Sequence, residues 1–96
     1  MNLNVTENKE RHRFEATVGS GLALIEYIRA KNGVYLTHTE VPEKEEGEGV
    51  GTELVKQTLE MLQEEGVKIV PQCPFVAHYI RENPEWKSMI ADGYHV

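Results

Sequence analysis

Gly47, Gly49 and Gly51 stand at alternate positions in the stretch VPEKEEGEGVGTEL, residues 41–54, behind a strand-like run and ahead of an amphipathic helix. A glycine-rich turn lets backbone amides approach a ligand closely, because no Cβ stands in the way. The helix that follows aims the positive end of its dipole, and its unpaired first N–H groups, at the same place. Phosphate binding is the chemistry this arrangement serves. The plainer reading is that glycines at a strand-to-helix turn only permit a tight bend. Glu43, Glu45, Glu46 and Glu48 crowd the same loop, and carboxylates repel an anionic ligand. The two features coexist if the carboxylates face water on a solvated loop while the amides face inward.

Cys73 is the second candidate. It lies between Pro71 and Pro74, neither of which can donate a ladder hydrogen bond, so the chain should peel from its neighbouring strand and open a gap ending at Cys73. A thiol at a helix N-terminus is also biased toward thiolate. The bland alternative is a small buried apolar side chain, which single cysteines often are. By period two, His38 and Glu40 share a strand face with Val34 and Leu36, and either could serve the gap as a base; a structural histidine is the commoner case. Tyr79 falls on the Phe75, Val76 and Ile80 face of a short helix, where burial is the simplest role and proton donation the chemical one. His12, His78 and His95 have no partners at ligand spacing, and no metal site is expected.

The elements that must position these groups are legible from their periods. A short edge strand is expected over residues 3–6. Phe14, Ala16 and Val18 alternate with Arg13, Glu15 and Thr17, which predicts a half-buried strand over 13–18. Gly19-Ser20-Gly21 turns the chain into residues 22–28, apolar on both faces except Glu26 and therefore central. Asn32-Gly33 is a hairpin signal leading into a β-branched and aromatic run over 34–41. The period then changes: Leu54, Val55, Thr58, Leu59, Met61 and Leu62 recur at helical spacing, with Glu53 in the first turn and Gly66 as the stop. Residues 67–70 make a short strand ended by Pro71, so that strand, helix and strand form a right-handed crossover with parallel strands. A helix begins at Pro74, and a further turn at Asn83-Pro84-Glu85 sends Trp86, Met89 and Ile90 inward. The fold class is α+β: an antiparallel meander, then a β-α-β crossover with splayed parallel strands, and two short C-terminal helices.

Composition narrows the function further. Ninety-six residues, 40% hydrophobic, make one small domain spanning 1–96, with no repeat, low-complexity tract or linker. Sixteen acidic against 10 basic residues give a formal charge of −6, which argues against nucleic acid and favours a cationic partner such as an amine. A single cysteine excludes an internal disulfide and a multi-cysteine metal centre. No apolar run approaches the roughly 20 residues of a membrane span, and the first 14 residues lack the apolar core of a secretory signal. A cytoplasmic location is expected.

Residues 14–90 resemble the GNAT superfamily of N-acetyltransferases, specifically its smallest single-domain branch. The resemblance rests on Leu36-Thr37-His38-Thr39-Glu40-Val41-Pro42 and on Gly47-Glu48-Gly49-Val50-Gly51. Its most specific part is Lys68-Ile69-Val70-Pro71-Gln72-Cys73-Pro74-Phe75-Val76-Ala77-His78-Tyr79-Ile80, followed by Asn83-Pro84-Glu85-Trp86. It implies a GNAT-like mixed sheet and acetyl-coenzyme A as co-substrate. The diphosphate would rest on the amides of Gly47, Glu48, Gly49, Val50, Gly51 and Thr52. The pantetheine arm would pair with the backbone of Thr39, Glu40 and Val41, and the thioester would lie near Cys73 and Tyr79. The superfamily transfers acetyl directly to an amine with a base and often a tyrosine acid, a role that matches Tyr79; His38 is the candidate base. A covalent acetyl-cysteine at Cys73 belongs to the small branch alone.

Two departures from the pattern carry weight. The small branch usually has Arg-Gly-Arg-Gly where this chain has Glu46-Gly47-Glu48-Gly49, which should weaken the grip on a diphosphate while sparing the backbone cradle. Larger members insert extra helices and strands to wall the acceptor pocket. Here only residues 7–12 separate the first two strands and only 81–96 follow Ile80, so an acceptor site is shallow, supplied by a partner, or absent. Three functions are consistent with these residues: an acetyltransferase acting on an unidentified amine, a non-catalytic coenzyme A-binding or acyl-carrier module, and a ligand-free interaction domain. A monomer or weak homodimer is expected.

Overall fold

The computed structural model describes residues 2–19 and 21–96. The chain runs through β1 (Thr6–Asn8), β2 (Arg13–Val18), β3 (Gly21–Ala30), β4 (Gly33–Glu40), a 3-10 turn (Glu43–Glu45), α1 (Val50–Glu65), β5 (Ile69–Pro71), α2 (Pro74–Glu82) and a second 3-10 segment (Pro84–Met89). The strands form one sheet in the order β1-β2-β3-β4-β5. The first three pairings are antiparallel and β4–β5 is parallel, which confirms the α+β expectation. Both helices pack on the sheet face that carries Phe14, Ala16, Ala23, Ile25, Tyr27, Val34 and Leu36. Among the described residues no helix packs on the opposite face, and Ile28 stands 61% exposed there.

The helical stripe read from the sequence is the buried stripe of α1: Leu54, Val55, Leu59 and Leu62 are fully enclosed. The helix stops where expected, at Gly66 with φ 83, whose N–H donates to the carbonyls of Leu62 and Gln63. Only glycine adopts that left-handed geometry without strain.

Several boundaries move, among them 22–28, which extends to Gly21–Ala30, and 34–41, which becomes Gly33–Glu40. The first strand is Thr6–Asn8 rather than 3–6, because Leu3 and Val5 are drawn onto α1 instead. Gln57 donates from Nε2 to the Leu3 carbonyl at 3.0 Å and accepts the Val5 N–H at 3.4 Å. The last strand is Ile69–Pro71; Pro71 lies within it, opposite Leu36. The second of the two short C-terminal helices is a 3-10 segment, with Met89 buried and Trp86 and Ile90 packed on the core, as expected. Of the predicted turn at Gly19-Ser20-Gly21, Ser20 lies outside the described residues.

At the far end of the sheet from the glycine loop, Arg29 ties three elements together. Its guanidinium donates to Glu65 at 2.6 and 3.0 Å and to Glu7 at 3.0 Å, and it lies 5.4 Å from the Tyr27 ring centre. Burial pushes the Glu7 carboxyl up, but hydrogen bonds from Tyr27 and Arg29 outweigh it and hold the group below its usual range.

One irregularity decides where the functional side chains point. Opposite β3, Leu36 pairs with Tyr27 and His38 pairs with Glu26, so Thr37 is an extra residue in β4. Such a bulge reverses the alternation beyond it. Thr39, opposite the buried Ile25, therefore lies on the helix side, while His38, opposite the exposed Glu26, lies on the bare side. The shared face of His38 and Glu40 with Val34 and Leu36, expected from strict period two, is corrected by this bulge.

Candidate functional site

Two strands that begin side by side come apart at the centre of the site. Parallel pairing joins Val34 to Ile69, Tyr35 to Val70 and Leu36 to Pro71. One further bond follows, from the Cys73 N–H to the Leu36 carbonyl at 2.8 Å. Beyond it β4 continues along β3 as far as Glu40, while the other chain turns away into α2. The sequence shows why: Pro71 and Pro74 offer no N–H, and Gln72 turns its own onto the Val70 carbonyl. Cys73 becomes the N-cap residue of α2, with extended backbone at φ −69 and ψ 125, and its carbonyl accepts the first helical bond from Ala77. The far half of β4 is left with an unpaired edge toward the gap.

The glycine loop closes the other end. Gly47 and Gly49 have φ 84 and 81, a left-handed backbone that costs an L-residue about 1–2 kcal/mol. Gly49 is the N-cap of α1 and has no side chain with which to cap it. Glu53 closes the first helical bond to the Gly49 carbonyl at 3.0 Å. The N–H groups of Val50, Gly51 and Thr52, one step earlier, have no acceptor among the described residues. Helix-start amides without capping partners are free to bond an outside acceptor, water or ligand.

Those amides open on a cleft of about 460 Å³ lined by Thr39, Val41, Glu45, Glu46, Gly47, Gly49, Val50, Gly51, Thr52 and Phe75. Thr39 links it to Cys73, with Oγ1 and Sγ 3.2 Å apart. Cys73 itself is 4% exposed. The cleft thus gathers Thr39, Val41, Gly47, Gly49, Val50, Gly51 and Thr52, and through Thr39 reaches the thiol. It does not gather the remaining candidates. His38 and Glu40 lie on the bare face, more than half exposed and paired with each other at 3.2 Å. Glu48 is exposed in the loop and its side chain is not part of the lining. Tyr79 is half-buried against the core beyond the cleft. Burial raises its phenol pKa above the ordinary value, with Glu85 and Glu60 adding to the rise against Trp86 and Lys56.

Two lining features were not read from the sequence. Phe75 was placed with Val76, Tyr79 and Ile80, yet it is 41% exposed while Val76 and Ile80 are fully buried. Residues 75 and 79 form one stripe of α2 and residues 76 and 80 the next; the sequence reading merged them. Glu43, Glu46 and Glu48 are exposed, as expected of the acidic loop, whereas Glu45 is half-buried beside the cleft. The 3-10 turn draws Glu45 back, so that its carboxylate lies where a Cβ on Gly19 would stand, at 2.6 Å.

The model of a family described as GCN5-related N-acetyltransferase matches residues 13–89. Protein NATD1 of Mus musculus is 31% identical over 86 residues, covering 85% of this chain and 77% of that protein. Protein NATD1 of Xenopus tropicalis is 30% identical over the same span, 78% of its length. Among solved structures, the NMR solution structure of a GCN5-like protein from Staphylococcus aureus superposes with a TM-score of 0.69 at 26% identity, covering 93% of this chain and 88% of that one.

Proposed function

The chain belongs to the GCN5-related N-acetyltransferase family, and from that premise we propose that it takes acetyl from acetyl-coenzyme A and passes it to an amine. The observation that carries the reading is the run of unpaired amides at Val50, Gly51 and Thr52, facing a cleft that leads to Thr39 and Cys73. Main-chain donors at a helix start suit a diphosphate. The unpaired edge of β4 offers backbone groups at Thr39, Glu40 and Val41 to an amide-bearing arm. An arm lying along it would bring a thioester beside Cys73.

In this reading the Cys73 sulfur, as thiolate, adds to the thioester carbonyl. The bond from carbonyl carbon to Cys73 forms, the bond to the coenzyme sulfur breaks, and the leaving thiolate takes up a proton. Tyr79 is the proposed donor of that proton: its raised pKa keeps the phenol protonated at neutral pH. A free amine then attacks the acetyl-cysteine, the new amide bond forms, the bond from the acyl carbon to Cys73 breaks to restore the thiolate, and the amine proton passes to the Tyr79 phenolate. Direct attack by the amine on the thioester is the shorter course, with His38 as base on the bare side of the gap.

A second reading, a coenzyme A-binding or acyl-carrier module without turnover, is favoured by one observation. Glu45 and Glu46 line the cleft, so anions stand where a diphosphate would benefit from cations. Incubation with acetyl-coenzyme A followed by intact mass analysis separates the two. The enzyme with a covalent step is expected to gain one acetyl group, released by hydroxylamine and absent in Cys73→Ala. An unlabelled protein, with thioester hydrolysis unchanged in Cys73→Ala, removes the covalent step.

A further inference from the structure

Gly51 is a glycine in a place where the backbone does not demand one. It is the second residue of α1, it is buried, and its φ is not left-handed. Helix propensity there favours alanine over glycine by a wide margin. What a Cβ would displace is a side chain: it would meet the far end of the Phe75 ring, Cζ at 2.7 Å and Cε2 at 3.0 Å, with Val41 Cγ2 in ordinary contact at 3.5 Å. The Phe75 ring therefore sits in a seat made by the missing Cβ of Gly51 and by Val41.

That seat is in the wall of the cleft, at one of the unpaired amides and two residues along the chain from the thiol. Thr39 and Phe75 both line the cleft, whereas Cys73, bonded to the one and two residues before the other, does not and is 4% exposed. The ring is fixed on the surface side of α2, away from the core stripe of Val76 and Ile80. We propose that Phe75 governs access from the cleft to Cys73, and that Gly51 is glycine to seat its ring rather than to let phosphate approach. The acyl end of the donor reaches the sulfur only when the ring leaves this seat. That assignment of the donor rests on the function proposed above; the obstruction does not.

The test therefore needs no acyl donor. Cys73 is the sole cysteine, so the rate of alkylation by N-ethylmaleimide, read by intact mass at one fixed pH, reports this thiol alone, through its accessibility and its thiolate fraction. Phe75→Ala is expected to speed alkylation by about tenfold or more, and Phe75→Leu by an intermediate factor, because a local opening step is removed. Equal rates in all three proteins overturn the proposal. The pairing with Gly51 is tested by melting temperature. Gly51→Ala should lower it in the native background and raise it in Phe75→Ala, where the ring is gone and helix propensity decides. A drop of the same size in both backgrounds would show that Phe75 is not what keeps residue 51 a glycine. If acetyl-coenzyme A proves not to bind, the alkylation and melting results stand unaffected; if they fail while the donor binds, only the gate is lost.

Discussion

Gly49→Val is expected to reduce acetyl-coenzyme A affinity by about 100-fold or more, measured by calorimetric titration, while leaving the fold intact. Residue 49 has φ 81 and caps α1, a backbone state that a β-branched residue resists at a cost of about 1–2 kcal/mol. Relief of that strain would rotate the peptide ahead of Val50, so the first free N–H groups would no longer converge. A branched side chain at the mouth of the cleft would also keep a diphosphate from the amides, and together the two effects amount to about 3 kcal/mol. Gly49 is exposed, so no core contact is lost and the melting temperature should fall only by what that strain implies, about 4–16 °C. Gly49→Asn separates the two causes. Asparagine tolerates the left-handed region, so an intermediate loss assigns part of the effect to backbone geometry, and a loss equal to that of valine assigns it to steric exclusion.

The largest loss of stability is expected from Leu36→Ala. Leu36 is fully enclosed, pairs with both Tyr27 and Pro71, and supplies the carbonyl that receives the Cys73 N–H. Truncating a buried leucine costs about 2–5 kcal/mol, a large share of the 5–15 kcal/mol or so that holds a small domain together. For a chain of this size each kcal/mol moves the midpoint by about 4–8 °C, so thermal denaturation should begin at least about 10 °C earlier. The partly exposed Leu22, on the bare face, provides the contrast: its truncation should cost about 1 kcal/mol or less. Because Leu36 also anchors the point where β4 and β5 part, its loss should make the Cys73 thiol easier to alkylate even below the transition.

The elements most legible in the sequence are those whose period is long enough to speak for itself. β2 appears with its predicted ends because Phe14 and Ala16 alternate cleanly with charged neighbours. α1 stops at Gly66 because glycine takes that left-handed backbone most cheaply. The parting of the strands was legible from Pro71 and Pro74, since the absence of an N–H is a property of the residue and not of its surroundings. What a single sequence does not contain is register. The extra residue Thr37 in β4 is decided by how β4 pairs with β3, and nothing in a run of β-branched and polar residues marks it. That single insertion moved His38 and Glu40 to the bare face and turned Thr39 toward Cys73. Phe75 was misplaced for a related reason: two neighbouring stripes of a nine-residue helix differ by one residue in sequence, and only packing against Gly51 distinguishes them. Glu45, too, was drawn to the cleft by a 3-10 turn that three consecutive polar residues do not announce.

The account turns on main-chain N–H groups at the start of α1 donating hydrogen bonds to the anionic end of an acyl donor. Titration of the 15N-labelled protein with acetyl-coenzyme A measures this directly, residue by residue. The account predicts saturable shifts of the Val50, Gly51 and Thr52 amides, joined by Gly47 and Gly49, at sub-millimolar to millimolar donor. Amides in that turn that stay where they are at saturating donor, whatever else in the spectrum moves, would contradict it.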